Sequence, residues 1–92
     1  MKIADEVSSK MQVKVKFFAM LRERIGKTEL WMEVSQNSTI SDLWVALKSE
    51  YPALSGVDIK LLYAVNSDYV QADHVLQEGD EVVFVPPVSG GL

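Results

Sequence analysis

Thr39-Ile-Ser-Asp-Leu-Trp-Val-Ala-Leu-Lys-Ser-Glu-Tyr-Pro52 is the stretch in which the hydrophobic period changes, and it decides the fold. Ile40, Leu43, Trp44, Leu47 and Tyr51 recur at helical spacing and form one apolar stripe. Thr39 with Asp42 makes an N-terminal cap, since the hydroxyl accepts from the N–H near Asp42 and the carboxylate favours the positive end of the helix dipole. Pro52 stops the helix. Before this stretch the period is two. Val13, Val15 and Phe17 alternate with Lys14, Lys16 and Phe18, and Leu30, Met32 and Val34 alternate with Glu29, Trp31 and Glu33. These are two strands, joined through a helical turn over 19–25 that Gly26 breaks.

After the helix, Lys60-Leu-Leu-Tyr-Ala-Val65 reads as a strand buried on both faces. Asn66-Ser67-Asp68 and Glu78-Gly79-Asp80 are turns, Tyr69-Val70 is a short strand, and Glu81 to Val85 is the last strand. Two hairpin-like pairs flanking one helix predict a single mixed sheet with its apolar face on the helix, an α+β roll. The predicted organisation is an N-terminal extension over 1–10, one domain over 11–86 and an extended tail over 87–92.

Composition narrows the chemistry. The chain has 92 residues, 48% hydrophobic and 24% charged, the balance of an ordinary globular domain. Thirteen acidic against nine basic residues leave a net charge of −4, which argues against nucleic acid as the main ligand. The absence of cysteine removes disulfides, thiolate metal sites and thiol catalysis, and a single histidine leaves no His-rich metal site. No membrane span is expected, because the longest apolar run, Val82 to Val88, contains two prolines. The first ten residues lack the apolar core of a signal peptide, so the expected location is cytoplasmic.

No catalytic constellation stands out. Glu78, Asp80 and Glu81 gather around a turn and read as solvated charges. His74 reads as a loop-packing residue, and Arg22 and Arg24 as surface charges. The unusual feature is the tail, Phe84-Val-Pro-Pro-Val-Ser-Gly-Gly-Leu92. Pro86 and Pro87 end the strand and hold the chain extended. Gly90 and Gly91 carry no side chains and can thread a channel in which a Cβ would clash. A second feature is apolar residues at outward positions: Phe18, Trp31, Val83 and Val85, with Tyr69 beside a turn. Either a strand bend or second cluster buries them, or they form a patch for a partner.

Together these residues resemble the small subunits of molybdopterin synthase, a family of ubiquitin-like β-grasp sulfur carriers. The likeness runs through Val15-Lys-Phe-Phe-Ala19, Arg22-Glu23, Gly26, Leu61-Leu-Tyr-Ala-Val-Asn66, Asp73-His74, Glu78-Gly-Asp-Glu-Val82 and Phe84-Val-Pro-Pro-Val-Ser-Gly-Gly91. It implies a β-grasp fold and a non-catalytic carrier subunit of a heterotetrameric synthase. An E1-like enzyme would spend ATP, with magnesium, to adenylate the carboxyl of Gly91, and a sulfur donor would turn it into a thiocarboxylate. Gly90 and Gly91 are then the reacting terminus, and Pro86, Pro87, Val88 and Ser89 the segment that enters the large subunit. Sulfur would pass to cyclic pyranopterin monophosphate and build the dithiolene. Phe18, with Tyr69 and Val85, would lie on the partner surface. No metal or cofactor is expected on this chain itself. Family members end at the second glycine, whereas Leu92 follows here and moves the carboxyl one residue further. The rivals are another such carrier, of the thiamin pathway, and a β-grasp module that binds through its sheet and never activates its tail.

Overall fold

The computed structural model describes residues 10–57 and 60–86, so Pro87, Val88, Ser89, Gly90 and Gly91 lie outside the described residues, as do residues 1–9. Strands β1 (Lys10–Phe17), β2 (Glu29–Ser35), β3 (Leu62–Val65), β4 (Asp68–Val70) and β5 (Glu81–Val85) accompany helices α1 (Met20–Ile25) and α2 (Ile40–Glu50). A 3-10 turn over Pro52–Leu54 follows α2. The first strand therefore starts at Lys10, the last residue of the expected extension.

One five-stranded sheet has the order β2-β1-β5-β3-β4. β1 runs antiparallel to β2 and parallel to β5, while β5 and β4 both run antiparallel to β3. This is the expected roll, with the last strand inserted at its centre. The two hairpins do not pair with each other; β5 joins them.

The period-two pattern of β1 explains its position. Met11, Val13, Val15 and Phe17 are all buried and face α2. Their register partners, Val34, Met32 and Leu30 on β2 and Val82 and Phe84 on β5, share that face. From above, Ile40, Leu43 and Leu47 are fully buried, and the Trp44 ring packs on Phe84 with centroids 5.1 Å apart. Tyr63 meets the other side of Phe84 edge-on at 5.8 Å. Phe84 is thus the aromatic centre of the core.

The α2 cap forms in full. The Thr39 hydroxyl accepts from the Asp42 N–H at 3.2 Å, and the Asp42 carboxylate accepts from the Thr39 N–H at 3.0 Å. The 74–76 loop braces the same end: Ile40 N–H donates to the His74 carbonyl (3.1 Å) and Leu76 N–H to that of Ser38 (2.8 Å). His74 takes part in this bracing through its backbone, and its side chain is half-buried.

The third strand corrects the sequence reading. It is buried on one face only: Leu61 and Val65 are covered, whereas Leu62 is 45% exposed. The run is continuously apolar because one side meets α2 and the other forms part of an open apolar surface, a distinction composition cannot draw. Among the described residues, no helix is long and apolar enough to cross a membrane.

Candidate functional site

The open face of the sheet is built by the residues that alternate with the core. Register places Lys14 beside Trp31 and Glu81, and Lys16 beside Glu29 and Val83. Two ion pairs cross the strands here, Lys14 Nζ to Glu29 Oε2 at 3.5 Å and Lys16 Nζ to Glu81 Oε2 at 2.8 Å. The hydrogen bond and charge of Lys16 hold the Glu81 carboxyl below its ordinary range, and Glu81 raises the Lys16 ammonium in return.

The apolar part of this face lies on the other side of β5. Val85 pairs with Leu62, Val83 with Ala64, and Ala64 with Tyr69. Tyr69 is 73% exposed, and Val83, Val85 and Ala64 are half-buried. Phe18 follows the last residue of β1, is 50% exposed, and stands where β1 and β5 both end. No bend or bulge interrupts the register from Lys14 to Phe17 or from Leu62 to Val65, so the outward apolar residues form a surface and not a second core. A shallow hollow of about 430 Å³ opens beside it between Lys60, Leu62, Tyr69 and Gln71.

Pro86, the last described residue of this segment, leaves the sheet at the same end as Phe18 and is half-buried. The surface expected from Phe18, Tyr69 and Val85 and the root of the expected tail are therefore neighbours. Leu62 and Ala64 belong to the same face and were not foreseen. Their signal was present, since alternate residues of 60–65 must face opposite ways, but the reading of a doubly buried strand hid it.

The carboxylates at the opposite turn are structural. Asp80 accepts from the side chain of Asn66 and from the Gln77 N–H, both at 2.9 Å, and Glu78 accepts from the Gln12 N–H at 3.1 Å. Among the described residues, no group of three His, Asp or Glu side chains converges as metal ligands. Arg24 tethers α1 to the 3-10 turn by donating to the Ala53 carbonyl at 3.3 Å, while Arg22 is exposed. Among the described residues, the open face offers an exposed apolar surface flanked by two ion pairs.

Comparison with known proteins agrees with this architecture. The model of the ThiS family matches residues 15–91, a span that includes the tail through Gly91. The molybdopterin synthase sulfur carrier subunit of Escherichia coli is 44% identical over 81 residues, covering 86% of this chain and 99% of that one. Among solved structures, a putative molybdopterin converting factor subunit 1 from Pyrococcus furiosus superposes with a TM-score of 0.77 at 30% identity, covering 85% of this chain and 99% of that one. A chain in a complex of subunits 1 and 2 of the molybdopterin-converting factor of Helicobacter pylori has the same fold, with a TM-score of 0.62 at 24% identity. It covers 88% of this chain and all of its own. The fold is the ubiquitin-like β-grasp.

Proposed function

Because this chain belongs to the ThiS family, we propose that it is a sulfur carrier, the small subunit of a molybdopterin synthase. The observation that carries this reading is the family match through Gly91, joined to the 44% identity with a relative of that name. An unactivated carboxylate is a poor electrophile, because its charge is delocalised and its oxygen leaves badly. Attack of the Gly91 carboxylate on the α-phosphorus of ATP, with magnesium on an E1-like enzyme, releases pyrophosphate and gives an acyl-adenylate. Sulfide-level sulfur from a donor, written as HS⁻, attacks the acyl carbon, the acyl–phosphate bond breaks with loss of AMP, and the product is a thiocarboxylate. Its sulfur attacks cyclic pyranopterin monophosphate in the large subunit. Water then cleaves the acyl–sulfur bond of the resulting thioester to restore the Gly91 carboxylate, and two such deliveries supply both sulfurs of the dithiolene.

In this scheme the chain's own residues bind and deliver. Phe18, Leu62, Tyr69 and Val85 dock on the large subunit. Pro86 and Pro87 fix their own φ and end the strand, and Val88 and Ser89 would lead Gly90 and Gly91 into a channel too narrow for side chains. Leu92 must be absent for Gly91 to carry the reacting carboxyl. No cofactor is needed on the carrier; ATP and magnesium belong to the activating enzyme. The cytoplasm is its proposed location.

The test is the intact mass of untagged protein from its native host. The expected species ends at Gly91 with one carboxyl oxygen replaced by sulfur. A chain that keeps an ordinary carboxylate with its activating enzyme and sulfur donor present would instead identify a non-covalent binding module.

A further inference from the structure

The β3–β4 turn is held from outside. Asn66 and Ser67 form a two-residue hairpin loop with φ of 50° and 77°. The second position of such a loop favours glycine, so Ser67 does not hold the turn by its own preference. β4 is three residues long, lies at the sheet edge and pairs only with β3. Asn66 supplies what the turn lacks. Its side-chain amide donates to Asp80 Oδ1 at 2.9 Å, its side-chain carbonyl accepts from the Glu81 N–H at 3.0 Å, and its backbone N–H donates to the Glu81 carbonyl at 2.8 Å. Asp80 uses its other oxygen on the Gln77 N–H, and its carbonyl accepts from the Lys14 N–H at 2.8 Å. The clasp thus ties the edge hairpin to the start of β5 and, through it, to β1.

What the clasp holds in register is Tyr69, the most exposed of the large apolar side chains described, which β4 sets beside Ala64 on the open face. We propose that Asn66 and Asp80 are positioning residues for partner docking, fixing β4 so that Tyr69 completes the apolar patch. The identity of the partner, though not the clasp, rests on the carrier reading above.

The hydrogen-bond pattern gives a directional test. Asn66→Asp sets two carboxylate oxygens against each other. Asp80→Asn forces a donor against either the Asn66 amide or the Gln77 N–H. The double exchange N66D/D80N restores every bond: residue 66 accepts from Glu81 and from the new amide at 80, whose oxygen accepts from Gln77. Two readouts are compared, amide exchange across β4 and affinity for the large subunit of the synthase. N66D is expected to speed exchange across β4 and to weaken affinity, each about tenfold, and the double exchange to return both to within about threefold of native. In a Tyr69→Ala background N66D should cost no further affinity, whereas a merely destabilising change would add its full cost. Unchanged exchange across β4, failure of the double exchange to rescue, or additivity with Y69A overturns the proposal. Asn66→Ser, which opens the clasp without adding charge, carries the same expectations should N66D not fold. If the native chain binds no large subunit, the carrier reading fails while amide exchange still decides the clasp.

Discussion

Ser67 adopts φ 77°, a left-handed conformation that costs a side chain about 1 kcal/mol or more. Glycine there loses about 0.5–1 kcal/mol through the freer unfolded chain. The relief is the larger, so Ser67→Gly should stabilise the fold by about 0.5 kcal/mol, read as a rise of roughly 2–4 °C in the thermal midpoint. A fall would mean that the Ser67 hydroxyl has a stabilising partner. The opposite experiment is Thr39→Ala. It removes the acceptor for the Asp42 N–H and should cost about 1 kcal/mol in denaturant unfolding. Thr39 shows what a sequence discloses at this scale, since both halves of its cap lie within four consecutive residues. The bond from Asn66 to Asp80 spans fourteen residues. Each is legible alone as a turn residue, and only the sheet order brings them together.

Among elements, β1 and β5 carry the clearest electrostatic consequence. The Lys16–Glu81 pair crosses them in the open, so it is screened by salt and modest in size. The sign of its pH dependence is nevertheless fixed. The Glu81 carboxyl lies below its ordinary range in the folded chain, so its contribution is present above the unfolded carboxyl range and is lost as pH falls through the folded value. The Lys16 ammonium is raised, so its share persists through neutral pH and is lost only as alkaline pH passes the folded lysine value. Glu81→Gln should therefore be less stable than native near pH 7 at low salt, and the gap should close on acidification and in concentrated salt. A gap that is the same at pH 3 and pH 7 would assign the effect to something other than the pair. The period-two strands and the capped helix were readable in advance because each pattern is local. The one-sided burial of β3 was not, because a continuous apolar run looks alike whether its second face meets a helix or a partner.

For the whole molecule, the central strand concentrates the stability. Phe84 is fully buried between Trp44 and Tyr63 on a strand paired to both neighbours. Phe84→Ala should cost about 3–5 kcal/mol, much of what a domain of this size possesses, and leave the chain largely unfolded at moderate denaturant. A loss below about 1 kcal/mol would show that the core collapses around the gap. The strand order carries a further consequence, for biosynthesis. β5 is translated after the other four strands, so while it is still inside the ribosome no strand links the β1–β2 and β3–β4 hairpins into one sheet. A nascent chain stalled before Glu81 lacks the central strand and, with it, the core residues Val82 and Phe84. The sheet closes only once synthesis has passed Val85, which makes the last strand to be made the one that completes the core.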